Sequence, residues 1–125
     1  MPRNVKDMMA EANAAVEKID AARARQLMDK GALVVDVRDA PEVAASGKVK
    51  GALHISRGML EFRADPSTPY HHPELRADRP VVLYCASGGR AALSGKLLRD
   101  MGYTQVFNLG GFKDWTEAGG DTEPM

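Results

Sequence analysis

The 125-residue chain predicts an α/β domain built on a mainly parallel sheet. Three observations carry that expectation. The short apolar runs Leu33–Val37 and Val81–Tyr84 have the length and composition of parallel strands covered on both faces. Stretches with apolar residues at helical spacing alternate with such runs, the pattern of strand–helix–strand units. Glycine, proline and aspartate punctuate the joins. The length suits one domain with one core.

The elements follow in order. Val5, Met8, Met9, Ala12, Val16 and Ile19 recur at helical spacing and predict an amphipathic N-terminal helix, expected to pack back on the domain or, alternatively, to meet a partner. Asp20 can cap a second helix through Leu27 or Met28, closed by Gly31 as the glycine after its end. Leu33–Val37 is a central strand. Pro41 can begin a short helix that finishes near Gly47, and Ala52 to Ile55 make a short strand. Val81–Tyr84 and Gln105–Asn108 supply two more strands, with a helix from Arg90 to Met101 between them. Gly110 and Gly111 mark a tight turn into a last helix, Phe112 to Glu117, whose Trp115 is expected in the core. No repeat or low-complexity segment is visible.

The only cysteine, Cys85, opens the run Cys85-Ala86-Ser87-Gly88-Gly89-Arg90. It stands where a strand ends and a glycine-rich turn leads into a helix. Successive backbone N–H groups in such a turn converge on one point, and the helix N-terminus adds positive potential there. Both effects favour thiolate, the nucleophilic form of the side chain. A packing cysteine at a strand end is the bland alternative, but it needs neither adjacent glycines nor the fork of donors that Arg90 places at the mouth of the turn.

The Cys-x-x-Gly-x-Arg loop resembles the active-site loop of the rhodanese family of sulfurtransferases. Two flanking stretches extend the likeness. Val34-Val35-Asp36-Val37-Arg38-Asp39, with Glu42 and then Gly47-Lys48-Val49-Lys50-Gly51-Ala52-Leu53-His54-Ile55, resembles the family's first signature. Asn108-Leu109-Gly110-Gly111-Phe112-Lys113-Asp114-Trp115-Thr116-Glu117-Ala118-Gly119 resembles its last. The likeness covers roughly residues 18–120, leaving residues 1–17 as an N-terminal helical extension and 121–125 as a tail. Lys48 stands where the family commonly has a histidine, usually in a structural role.

The resemblance implies a three-layer α/β/α rhodanese-like domain and a thiosulfate sulfurtransferase activity. In that chemistry Cys85 takes sulfane sulfur from a donor such as thiosulfate as a persulfide, and cyanide or a thiol then removes it. Ala86, Ser87, Gly88, Gly89 and Arg90 would bind the anionic groups, and Arg57, after a strand end, could contact substrate. Asp36 and Arg38 are expected to form an ion pair bracing the loops. A cysteine-dependent phosphatase is one rival reading, but the loops of those enzymes carry one residue more between cysteine and arginine. A persulfide carrier or a regulatory module for a protein partner is the other.

Composition narrows the setting. Seventeen basic against seventeen acidic side chains argue against a nucleic-acid partner bound through bulk charge. One cysteine forbids an intramolecular disulfide. The N-terminal stretch lacks the apolar segment of a secretory signal, and no apolar run approaches a membrane span. These features predict a soluble cytoplasmic protein with no cofactor. His71 and His72, in a Pro-rich loop, have no further ligand at metal spacing, so no metal is expected.

Overall fold

The computed structural model describes residues 2–125. Five parallel strands form one sheet in the order β1-β6-β5-β2-β4: β1 Glu17–Lys18, β2 Leu33–Asp36, β4 Leu53–His54, β5 Val81–Cys85 and β6 Val106–Gly111. A two-stranded antiparallel ribbon pairs β3 Lys48–Val49 with β7 Thr122–Glu123.

The buried runs of β2 and β5 divide by the two-residue period of a strand. Leu33, Val35, Val81, Leu83 and Cys85 face a cluster completed by α4 (Leu60–Ala64) and α5 (Gly89–Asp100). Val34, Val82 and Tyr84 face a second cluster with α2 (Ala21–Asp29) and Trp115 of α6 (Phe112–Glu117). Helices therefore cover both faces of a parallel sheet, which is the predicted three-layer arrangement.

The N-terminal helix α1 (Val5–Ala15) packs on α5, but it is shorter than its apolar stripe implies. Its backbone turns extended at Val16, and Glu17–Lys18 then pairs with Phe107–Asn108. Val16 still reaches the core, because it lies over Gly95 of α5; a Cβ on Gly95 would come within 2.8 Å of a Val16 methyl. Asp20 caps α2 by accepting a 2.9 Å bond from Arg23 N. Gly31, at φ +96, follows its end. α3 (Ala40–Ser46) has Pro41 in its first turn and Gly47 at its C-cap.

Three differences from the sequence expectation stand out. Gly110 and Gly111 are the last residues of β6 and form no separate turn. Arg57–Met59 make a 3-10 turn running into α4, where only loop was expected. Residues 122 and 123 pair as a strand, and Glu123 there accepts bonds from Gly51 N (3.2 Å) and Lys48 Nζ (3.1 Å). Lys48 also donates to Ala52 O at 2.7 Å, so its ammonium staples the turn between β3 and β4 to the C-terminal strand.

Candidate active site

Cys85 is the last residue of β5, at the carboxyl end of the parallel sheet, where open α/β folds gather their ligands. The residue is 1% exposed. Its Sγ accepts hydrogen bonds from Gly88 N at 3.0 Å and from Ala91 N at 3.4 Å. The first donor belongs to the loop and the second to the opening turn of the twelve-residue helix α5. Two N–H groups and the positive helix end thus converge on one sulfur, the arrangement that stabilises negative charge there.

Gly88 makes this aim geometrically feasible. Its φ of +102 lies in the left-handed region, where a side chain is strained. Its N–H points at the sulfur, while its carbonyl accepts from Ala92 N (2.9 Å) and from Asn108 Nδ2 (3.2 Å). Asn108 Oδ1 in turn accepts from Gly110 N at 2.8 Å. The β6 register explains why Asn108 lies beneath the loop: Leu83 pairs with Asn108 and Tyr84 with Gly110, so Leu109 is an extra residue in a bulge. Gly111 then pairs with Cys85, so close to the loop that a Cβ would collide with the Ala86 carbonyl.

Arg90, read from the sequence as a donor fork at the mouth, makes a two-point ion pair with Glu42 of α3. Nη1 donates to Oε2 at 2.6 Å and Nη2 to Oε1 at 2.8 Å. Glu42 Oε2 also accepts from Asp39 N at 2.9 Å, which fixes the carboxylate on the first turn of α3. Both contacts hold the Glu42 carboxyl down at about 2, the Arg90 hydrogen bonds first and the Asp39 N–H next. Arg90 is pushed above the ordinary arginine range, chiefly by its hydrogen bonds to Glu42.

Beneath this pair lies the buried one predicted from the sequence. Arg38 grips Asp36 through Nε (3.0 Å) and Nη2 (2.7 Å), both residues being almost wholly buried. The rest of the guanidinium is satisfied by Ser46 Oγ and Gly47 O, each at 2.8 Å, and its centre lies 4.5 Å from that of the Phe112 ring. The pair therefore ties the end of β2 to the C-terminal end of α3 and to α6.

The remaining candidates scatter around this centre. Ala86 and Ser87 are exposed on the loop, and Gly89 is half-buried at the start of α5. Arg57 N donates to Val37 O at 3.1 Å, which anchors the residue beside the end of β2; its guanidinium meets Glu61 at 3.5 Å, both side chains partly exposed. His71 and His72 bond locally, to Leu75 O and Glu74 N. Among the described residues no three His, Cys, Asp or Glu side chains cluster at metal-binding distance. Sequence reasoning assigned no role to Asn108, Ala91 N or the Glu42 partner of Arg90. A polar residue inside the apolar run Val106-Phe107-Asn108-Leu109 was the one local signal for Asn108.

A cysteine at the end of a parallel strand, cradled by backbone donors in front of a helix, places this chain in a class of α/β domains with a strand-end cysteine loop. Within that class this chain belongs to the rhodanese-like domain family, whose model matches residues 20–118. It is similar to the uncharacterised protein YqhL of Bacillus subtilis (strain 168), at 36% identity over 85 residues, covering 67% of this chain and 60% of that protein. It is 32% identical over 101 residues to the thiosulfate sulfurtransferase GlpE of Pseudomonas paraeruginosa, covering 79% and 83% of the two chains. Among solved structures, a Rhodopseudomonas palustris protein of unknown function, named a possible tyrosine phosphatase, superposes with a TM-score of 0.89 at 41% identity over 98% of this chain and 96% of that one. The polysulfide-sulfur transferase homodimer of Wolinella succinogenes does so with a TM-score of 0.76 at 33% identity, over 96% and 87%. No helix among the described residues is long and apolar enough to cross a membrane.

Proposed function

We propose that the protein is a sulfurtransferase that carries sulfane sulfur on Cys85. The observation that carries this reading is the pair of N–H donors on Sγ, from Gly88 and Ala91, at the end of β5. The first step is displacement at the outer sulfur of a donor such as thiosulfate. The Cys85 thiolate forms the new S–S bond, the old one breaks, and sulfite departs with the electron pair. The terminal sulfur of the persulfide then bears the negative charge, which the backbone N–H groups of the loop from Ala86 to Arg90 would receive. In the second step cyanide or a thiolate attacks that terminal sulfur, yielding thiocyanate or a new persulfide and regenerating the Cys85 thiolate. Two displacements through one covalent intermediate give ping-pong kinetics.

The resemblance to GlpE supports thiosulfate as a donor, and the Wolinella enzyme supports sulfane sulfur more broadly. A protein thiol as acceptor shares the same first step. Ala86, Ser87 and Gly89 complete the loop, and Arg57, anchored beside the end of β2, is assigned as a substrate contact. A single free cysteine suits the reducing cytoplasm, where we place the protein.

The Rhodopseudomonas neighbour raises the phosphatase reading. Two features favour sulfur. Arg90 is committed to Glu42, whereas a phosphate-binding loop needs that fork turned onto the phosphate oxygens. The nucleophile is also 1% exposed, a depth that suits one protruding sulfur atom better than a tetrahedral phosphate. Incubation with thiosulfate should add one sulfur, about 32 Da, to the intact protein. Cys85→Ser should show no gain. No gain in the unaltered protein, together with turnover of an aryl phosphate, would replace this reading with the phosphatase one.

A further inference from the structure

We propose that Glu42 is a positioning residue that sets the charge of the sulfur donor, by holding Arg90 neutralised at the mouth of the Cys85 loop. The inference rests on the sulfurtransferase reading above and names the donor class that this site favours: a sulfane-sulfur donor of low charge, such as an alkyl persulfide or thiosulfonate, over the thiosulfate dianion.

The geometry is specific. Both outer nitrogens of Arg90 lie on Glu42, at 2.6 and 2.8 Å, in the two-point arrangement that guanidinium and carboxylate prefer. Glu42 cannot easily swing away, because Asp39 N also holds its Oε2 at 2.9 Å. Asp39 adds a second, more distant negative charge facing Arg90. Of the other cations, Arg38 is consumed by Asp36 and Arg57 meets Glu61 at 3.5 Å, while Lys18 lies beside Ser87, Gly88 and Gly89. A dianion arriving at the loop therefore meets a guanidinium already matched by a carboxylate. It must rely on the backbone donors and the remaining cations, or compete for Arg90 against a partner that the fold has pre-positioned. A donor with one charge or none loses little by this.

Removing the Glu42 charge while keeping its hydrogen-bonding shape should reverse the preference. For a charge within about one Debye length of the donor at a hydrated mouth, Glu42→Gln should tighten thiosulfate by about fivefold and a monoanion by only about twofold. Thiosulfate and methanethiosulfonate make a suitable pair: each offers the same outer sulfur, and the leaving groups are sulfite and methanesulfinate.

The test measures KM and kcat for both donors in the unaltered protein, Glu42→Gln and Glu42→Asp. Calorimetric binding of both donors to Cys85→Ser, with and without Glu42→Gln, runs alongside. The expected result is a fall in the thiosulfate KM of about fivefold with kcat held within about twofold, a smaller change for methanethiosulfonate, and the same ranking in the binding constants. Glu42→Asp, which retains the charge, should keep the unaltered ratio of the two KM values. Equal changes for both donors, or a loss of kcat with both, would overturn the proposal and leave Glu42 as a mere prop for the loop. The binding arm needs no turnover, so it judges Glu42 even if the protein transfers no sulfur. A missing mass gain on Cys85 would count separately, against the sulfurtransferase reading.

Discussion

Gly111 leaves no room for a side chain beneath the Cys85 loop, and adding a single methyl group there tests whether loop position governs the chemistry. Gly111 has φ −104 and ψ 153, angles that alanine adopts without strain, so Gly111→Ala acts through space alone. A Cβ there falls well inside contact distance of the Ala86 carbonyl oxygen, 3.1 Å from its carbon and 3.4 Å from Asp114 Oδ2. Ala86 is backbone bonded directly to Cys85 and must retreat by about 1 Å to restore an ordinary separation. Overpacking of this kind costs about 1–3 kcal/mol, a loss the domain should survive. A displacement of about 1 Å at the reacting centre, however, costs on the order of 100-fold in rate. The assay is the rate at which thiosulfate adds sulfur to Cys85, followed by intact mass, beside thermal unfolding. Gly119→Ala is the control, since its φ of +81 strains alanine but nothing lies within 4 Å of the new methyl. A Gly111→Ala variant as fast as the unaltered protein would refute the claim that β6 sets the loop position.

Two further outcomes follow from the charged pairs. Arg38→Met should destabilise the fold by about 3–5 kcal/mol, because it leaves the fully buried Asp36 carboxylate without a charged partner, only the backbone N–H of residue 38 still donating to it; replacing both as Asp36→Leu/Arg38→Met should recover part of that loss in urea unfolding, and a single-variant loss below about 1 kcal/mol would refute the ion-pair role. The Glu42–Arg90 pair should contribute its full stability at neutral pH and lose it in acid. Glu42 sits at about 2 instead of 4.5, chiefly through the Arg90 hydrogen bonds, and a depressed carboxyl stabilises above its unfolded value and not below its folded one. The stability gap between the unaltered protein and Arg90→Met should therefore hold above pH 4.5 and close as pH falls toward 2. With the carboxylate side chain 37% exposed, solvent screening reduces that gap to about 1 kcal/mol; a gap unchanged at pH 2 would show that Arg90 stabilises by packing.

The elements legible in the sequence are those whose signal is local. The apolar run of β2, the Asp20 cap and the Phe112–Glu117 helix each follow from neighbouring residues, and the structure places them within a residue or so. Cys85 at a strand end was legible because Pro80 and the paired glycines bracket it. Asp36 and Arg38 are two residues apart on an extended chain, so their side chains share a face and the ion pair was legible too. What escaped depends on distant partners. Glu17–Lys18, Lys48–Val49 and Thr122–Glu123 are two-residue strands with no periodicity of their own, defined only by the strand each meets. Leu60 and Ala64 mark one turn of helix, too short for a 3.6-residue pattern to show. Glu42 and Arg90 are 48 positions apart, and only the folded sheet reveals that the arginine has a partner.

Residue 108 is an asparagine because the loop above it needs a donor and an acceptor from one side chain. The loop must aim the two peptide groups flanking Gly88 differently: the Gly88 N–H toward Sγ and the Gly88 carbonyl toward Asn108. The carbonyl already accepts from Ala92 N, but that bond lies along α5 and leaves the underside of the loop unsupported. A side chain from β6 must therefore donate upward to Gly88 O while accepting from Gly110 N, whose partner in the sheet is lost at the bulge. A carboxamide has one group of each kind, fixed in a plane. Aspartate would keep the acceptor, lose the donor and set a buried negative charge beneath the sulfur that the loop is built to hold as an anion. Leucine would leave the Gly110 N–H buried without a partner. The support under Cys85 is thus a neutral, two-way hydrogen bond, and the full charges, Glu42 and Arg90, are paired with each other away from it.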